Sequence, residues 1–347
     1  MFLHTVSNAA AAANLAVARR RHGWEAAGSG LNSGVPIGRA LVHPITDGLG
    51  ERAAKTVVSP PGDGPGYWAG GPSALFHDGT VWLAYRLRRP VDAGRGYCNV
   101  VARSGDGYDF ETVAVVTSAQ FAAASLERPA LSVGPDGRWR LYVSCSTEGS
   151  KHWWIEALDA AAPEGFGPGR GRIVLPGDRA TAWKDPVVSV DRSGWHMWPC
   201  RHHILPADDA DRMDSWYATS PDGWDWTLRG AALRPTPGAW DRRGARISAV
   251  VAGAGDVAQP WVAVYDGRAS AGENWEERTG AAVGATPAAF DAVGHRPLVA
   301  APSIRYLSPV RLPDGSWLVY YEATRPDGAH ELRVEYVPRP TGDNQSA

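Results

Sequence analysis

Apolar and polar positions along the chain repeat one unit: a short apolar strand, a glycine turn, then an aromatic-rich strand. It occupies residues 74–86, 131–144, 187–200 and 310–322, with turn glycines Gly79, Gly137, Gly194 and Gly315. These glycines are 58, 57 and 121 residues apart, and because 121 is close to two periods a further unit is expected midway. Gly255 stands there, between Val250-Val251 and the run Trp261-Val262-Ala263-Val264-Tyr265, and the spacings become 58, 57, 61 and 60. A unit of this length holds about four strands of roughly 5–6 residues with their turns. The pattern predicts an all-β fold, a five-bladed β-propeller with four-stranded blades around a central channel. A solenoid would show shorter repeats and capping units.

A second echo supports the period. Ser104-Gly105-Asp106-Gly107-Tyr108-Asp109-Phe110 and Ser220-Pro221-Asp222-Gly223-Trp224-Asp225-Trp226 lie 116 residues apart, two periods. Asp and Gly form a tight hairpin turn and the aromatic packs beneath it, a structural role. No Ser- or Pro-rich linker divides the chain, so residues 28–340 read as one propeller domain, with residues 30–60 free to supply the strand that closes the ring. Residues 1–27 read as an N-terminal extension, a short helix or disordered, and 341–347 as a tail.

Composition narrows the function. Forty Gly and 27 Pro in 347 residues are too many breakers for a mostly helical protein. A net charge of −2, without a Lys/Arg block, gives no footprint for nucleic acid or an anionic membrane surface. No apolar run approaches the roughly 18–20 residues of a membrane-spanning helix. Near the start, Ala9 to Ala13 precede Arg19-Arg20-Arg21, the reverse of the basic-then-apolar order of a signal peptide. Cys98, Cys145 and Cys200 are odd in number and lack C-x-x-C spacing, so neither disulfides nor a zinc site are expected, and a reducing cytoplasm fits. Sixteen Trp against six Phe supply flat aromatic faces that suit sugars, or large rings filling seams between sheets.

Ligands of a propeller collect where the inner strands begin and end, and positions that change chemistry from blade to blade are free of the shared packing role. Nine residues before their turn glycines stand Arg128, Asp185 and Arg246, with Gly71 eight before the first and Ser308 seven before the last. Proline often follows, as in Gly70-Gly71-Pro72, Glu127-Arg128-Pro129, Lys184-Asp185-Pro186 and Ser308-Pro309. It marks the start of a strand and holds the preceding residue extended. Across the hairpins stand Arg86, Ser144, Cys200, Asp266 and Glu322. Buried charges are costly unless paired. Two readings follow: structural ion pairs of Glu127, Asp185, Asp266 and Glu322 with Arg86, Arg128, Arg246 and Arg325, or a polar ligand pocket built from the same groups. Lys184 is one of three Lys beside 32 Arg, and a compact ammonium next to Asp185 lowers that carboxyl's pKa.

Arg201-His202-His203 and His330 are the histidine-rich spots. Adjacent histidines point apart on a strand, so no shared metal is expected, and the Asp208–Asp214 loop lacks the glycine of an EF-hand. No G-x-S-x-G, P-loop or H-E-x-x-H element is present.

Trp68-Ala69-Gly70-Gly71-Pro72, Glu127-Arg128-Pro129-Ala130-Leu131, Lys184-Asp185-Pro186 and the Asp-Gly-x-Trp strand starts resemble the five-bladed propeller glycosidases of the arabinanase, levansucrase and invertase superfamily, over about residues 60–338. The resemblance implies a pocket at one end of the channel, three acidic residues from different blades and no cofactor. Lys184-Asp185-Pro186 matches the family's Arg-Asp-Pro element, which makes Asp185 the stabiliser, and Glu127 becomes the candidate acid or base. Gly71 stands where the family carries its first-blade Asp. Two carboxyls are needed across a scissile glycosidic bond, so Asp266 or Glu322 would take the missing role. Trp68, Arg86, Arg128, Lys184, His202, Arg246, Ser308 and Arg325 are the expected ligand contacts. The expected function is a cytoplasmic glycoside-hydrolase-like protein for a small sugar or polyhydroxylated substrate. The alternatives are a binding module that has lost the chemistry, or an enzyme of specialised metabolism acting on a non-sugar substrate.

Overall fold

A computed structural model describes residues 45–46, 48–251, 260–299 and 304–339, all within the unit Pro36–Ala347. The N-terminal extension 1–27, the tail 341–347 and the turn at Gly255 lie outside the described residues.

Among the described residues twenty strands form three hydrogen-bonded sheets of eight, eight and four, and their antiparallel pairings divide them into sets compatible with the five-unit period. After β1 (Lys55–Val58), set I is β2 (Trp68–His77), β3 (Thr80–Arg88), β4 (Gly96–Ser104) and β5 (Glu111–Thr117). Set II is β6 (Ala130–Val133), β7 (Trp139–Ser146), β8 (Trp153–Ala160) and β9 (Arg172–Leu175). Set III is β10 (Thr181–Asp191), β11 (Gly194–His203), β12 (Met213–Ser220) and β13 (Thr227–Leu233). Set IV is β14 (Gly244–Val251), β15 (Trp261–Arg268), β16 (Arg278–Thr286) and β17 (Ala289–Ala292). Set V is β18 (Ile304–Arg311), β19 (Trp317–Thr324) and β20 (His330–Val337), and β1 pairs antiparallel with β20, Lys55 opposite Val334. Single parallel pairings link β12 to β14 and β2 to β20.

Burial explains the strand sequences. The second strand of set II, β7, is buried at every position, its Arg140, Ser144 and Ser146 included, whereas β5 alternates towards solvent. The apolar core is divided into clusters, each shared by two sets. Sets I and II meet at Ala84, Val101, Leu131 and Leu141, and sets II and III at Tyr142, Ile155, Trp195 and Met197. Sets III and IV meet around Trp198 and Tyr265, sets IV and V around Val264 and Tyr321. A further cluster joins set V to set I through Leu318, Tyr320, Leu83 and Val100.

The two Asp-Gly turns are built alike. Ser104 Oγ accepts from Gly107 N–H at 2.9 Å, and Asp106 Oδ1 accepts from Tyr108 and Asp109 N–H at 2.8 and 3.0 Å. Ser220 and Asp222 repeat these bonds to Gly223, Trp224 and Asp225 at 2.9, 2.8 and 3.0 Å. A tyrosine of a neighbouring set grips each turn: Tyr320 OH donates to Gly107 O at 2.7 Å and Tyr142 OH to Gly223 O at 2.8 Å.

The inner strands share an irregularity that positions the site. Register shifts lie between Gly70 and Ser73, Lys184 and Val187, Ile247 and Ala249, and Arg305 and Ser308. A bulge adds a residue and re-aims a side chain. At three of these bulges the backbone is left-handed, at Gly71 (φ 61), Asp185 (φ 51) and Tyr306 (φ 56). For Asp185 and Tyr306 that conformation is strained, and non-glycine residues held there cluster at functional sites.

Candidate functional site

Strand register decides which residues correspond. Gly70 pairs with Arg86, Lys184 with Cys200, Arg246 with Asp266 and Arg305 with Glu322. In set II, Glu127 N–H donates to Ser144 O at 2.9 Å, the same relation. Gly71, Arg128, Asp185 and Tyr306 follow these positions. Ser308, expected to correspond to Gly71, instead matches Ser73, since the two pair with Tyr320 and Ala84 two residues before Glu322 and Arg86. The count of nine that gives Arg128 and Asp185 gives Tyr306 from Gly315.

The register brings Glu127, Asp185, Asp266 and Glu322 into one buried network with Arg86 and Arg246. Glu322 is fully buried against the first set. Its Oε2 accepts from Gly71 N–H at 3.0 Å and Arg86 Nη2 at 3.3 Å, and its Oε1 from Arg305 Nε at 2.9 Å, with His330 Nδ1 at 2.7 Å. A Cβ on Gly70 would collide with this carboxylate. Gly70 thus leaves the space that Glu322 fills, where the family resemblance implies a carboxylate from the first blade itself. Burial alone would raise the Glu322 pKa, but Arg305, Arg86 and His330 hold it well below the usual carboxylate range.

Arg86 also pairs with Glu127, to which Arg88 stands at 3.8 Å. Arg246 joins Asp185 Oδ2 at 3.4 Å to Asp266 Oδ2 at 3.0 Å. Tyr306 completes this centre: its N–H reaches Asp266, its OH donates to Asp185 Oδ2 at 3.2 Å, and Arg246 packs 3.9 Å above its ring. Asp185 Oδ1 is buried and has no partner. Burial raises the Asp185 pKa, and Lys184, Arg246, Arg86 and Arg128 outweigh it, so the net shift is downward. Asp266 goes the other way, because burial and the like charge of Glu277 exceed the pull of Arg246.

Arg128 has a different role from the expected ion pair. Its Nη2 donates to the Pro72 and Ser248 carbonyls at 3.0 and 2.8 Å, and burial holds its pKa down at about 10. Lys184 stands 3.7 Å from Asp185 and over the Trp153 ring. Trp68 stacks on His330 at 4.5 Å and meets Trp275, which is 48% exposed, edge-on at 5.4 Å. His202 Nε2 is buried without a partner, and burial together with Lys184, Arg268 and Arg246 keeps the ring neutral, its pKa well below the ordinary value.

Two expected contacts lie elsewhere. Arg325 sits in an exposed turn, paired with Asp63 and Asp327, each at 3.2 Å. Ser308 accepts from Ala74 N–H and lines, with Arg128, a 310 Å³ cavity formed by the later halves of the inner strands. A second hollow, of 560 Å³, lies among Arg201, His203, Asp214, Arg234 and Arg242.

Sequence reasoning missed Arg305, Tyr306, Arg88 and Glu277. The first two occupy the Lys184 and Asp185 positions of set V, and the nine-residue count applied to Gly315 would have found them. Arg88 lies two residues beyond Arg86, opposite Trp68. Glu277, just before β16, accepts from Arg305 at 2.7 Å and Arg268 at 3.2 Å, and these arginines with Arg246 overcome burial to hold its pKa at about 2. No repeat signal marks it. Among the described residues no group of three or more His, Cys, Asp or Glu is placed to hold a metal ion, and no helix is long and apolar enough to cross a membrane.

No family model and no curated protein matches the chain. Solved structures do. A thermostable family-43 glycoside hydrolase superposes with a TM-score of 0.62 at 14% identity, over 81% of this chain and 91% of that one. A structure reported for the GH130 family of mannoside phosphorylases and glycoside hydrolases gives 0.55 at 14% identity, over 82% and 86%. A glycosyl hydrolase from Bacteroides ovatus gives 0.51 at 13%, over 81% and 89%. At these identities the likeness is one of fold, and it agrees with the resemblance read from the X-Pro motifs.

Proposed function

We propose that the five strand sets are the blades of one ring, closed by β1 on β20, and that the protein is glycoside-hydrolase-like, taking a small sugar or other polyhydroxylated ligand at the arginine–carboxylate end of the channel. The observation that carries this reading is Asp185 Oδ1, a buried carboxylate oxygen without a donor. Leaving such an atom unsatisfied costs free energy, and a ligand hydroxyl supplies the missing bond. The exposed Trp275 face beside Trp68 offers an apolar platform for a sugar ring.

In the catalytic form of this reading Asp185, kept ionised by its cations, fixes ligand hydroxyls and opposes developing positive charge. Glu127, on a different blade, serves as the acid or base. Glu322 replaces the first-blade carboxylate as a fixed charge; its low pKa and full set of partners make it no proton donor. Asp266 is enclosed by Arg246 and Tyr306 and orients them. The fold resemblance to glycoside hydrolases supports the class of ligand. Three buried free thiols, Cys98, Cys145 and Cys200, support a cytoplasmic protein.

A second reading, binding without hydrolysis, is favoured by one observation: all four carboxylates contact arginine, and Gly71 offers none. A panel of aryl furanosides and pyranosides, scored for aglycone release and for thermal shift, separates the two. Release lost in both Glu127→Gln and Asp185→Asn supports catalysis, and a shift without release supports binding. Neither release nor shift with any sugar contradicts the sugar ligand itself.

A further inference from the structure

The arginine–carboxylate end holds more positive charge than it neutralises. Arg86, Arg128, Arg246, Arg268 and Arg305 are matched in number by Glu127, Asp185, Asp266, Glu277 and Glu322, all buried. Arg88 and Lys184 are left over. Arg88 is 5% exposed, its Nε has no acceptor, and its one nearby carboxylate, Glu127 at 3.8 Å, is already taken by Arg86. Lys184 shares Asp185 with Arg246.

A third cation stands close by. Arg95, half-buried and left-handed (φ 51), has a buried Nε without an acceptor. Arg95 and Lys184 pack on the same Trp153 ring, at 5.9 and 5.1 Å, while Arg88 lies 4.1 Å from the Trp68 ring and 5.7 Å from Trp275. Burial and the like charges of Arg86, Arg95 and Arg305 hold the Arg88 pKa down at about 9. Two adjacent guanidiniums with free N–H groups and a nearby ammonium repel one another until an acceptor with negative charge joins them, and the planar fork of arginine fits an oxyanion. The second hollow is less suited, because its Arg201, Arg212 and Arg243 already hold Asp214, Asp209 and Asp211.

We infer that the ligand of this end of the channel carries an oxyanion, a uronate carboxylate or a sugar phosphate, received by Arg88, Arg95 and Lys184. The inference builds on the sugar-ligand reading and adds the charge.

Calorimetry with glucose, glucuronate and glucose 6-phosphate, and with galactose and galacturonate, tests it, with inorganic phosphate as the sugar-free probe. The charged member of a pair is expected to bind about ten- to a hundredfold more tightly than its neutral parent, the range of one charge-assisted hydrogen bond. The advantage should shrink as salt rises. Arg95→Gln should remove most of it, as should Arg88→Gln, with Arg88→Lys retaining part. Arg95 is half-buried, so its variant stands in if the Arg88 variants do not fold. Arg234→Gln with Arg242→Gln, on the second hollow, should leave the advantage intact. Equal affinity within pairs overturns the inference and leaves the sugar reading standing, and so does an advantage that survives at Arg95 and vanishes at Arg234 and Arg242. Phosphate that raises the melting temperature in an Arg95-dependent way, with no sugar bound, sustains the anion receptor and ends the sugar reading. No response to any probe overturns both.

Discussion

The Asp-Gly turns at the outer hairpins and the bulges on the inner strands repeat in opposite ways. At the turns both backbone and side chains recur, so that Ser104 and Asp106 make the same bonds as Ser220 and Asp222. At the bulges only the backbone recurs: Gly71, Asp185 and Tyr306 share a left-handed conformation and nothing else. Where a scaffold keeps its chemistry through a repeat, that chemistry serves the scaffold. Where it keeps the backbone conformation and varies the side chain, the side chains are released for a task that differs from set to set, here a buried network of alternating sign.

The contrast can be broken first by stability. Arg305 holds Glu322 and Glu277 at once, and Arg305→Met leaves two buried carboxylates short of a partner, the kind of loss that costs about 3–5 kcal/mol. Urea unfolding should show it, and a midpoint near that of the parent protein would mean that water reaches the network freely.

Activity gives the next largest effect. Glu127→Gln and Asp185→Asn should remain folded by circular dichroism yet lose turnover by about 10²-fold or more, the scale of acid or base catalysis. Unchanged turnover in both removes them from the chemistry.

Acid titration then separates the buried histidines from the carboxylates. His202 and His330 are held neutral by burial, so the unfolded chain binds their protons first, and stability should begin to fall as pH drops below about 6.5. Glu322 and Glu277 have depressed pKa values; the stability they add is present above about 4.3 and drains away as pH falls towards their folded values. Asp266, raised, works in the opposite sense and softens the second stage. Melting temperatures that stay flat from pH 7 to 4 would contradict the ordering.

Much of this was legible in the residues. The glycine period is compatible with the strand sets, the X-Pro motifs pointed to the right fold resemblance, and Arg86, Asp266 and Glu322 were read as facing positions because they share one place across each hairpin. The misses have separate origins. Ser308, seven residues before Gly315, precedes a proline as Asp185 does, whereas the count of nine that gives Arg128 and Asp185 gives Tyr306, with Arg305 just before it. Arg325, expected among the ion-pair and ligand residues, follows the end of β19 and turns to Asp63 and Asp327. Glu277 comes from a connection outside the repeat, and only the fold brings it to Arg305.

The most direct test sets one residue of each kind side by side. Asp106→Ala in a turn and Asp185→Asn at a bulge are melted with and without the sugar that shifts the parent protein most. Asp106→Ala should melt slightly lower and keep the full ligand-induced shift, while Asp185→Asn should lose the shift. An Asp185→Asn protein that keeps its shift, or an Asp106→Ala protein that loses it, would contradict the division between scaffold and site.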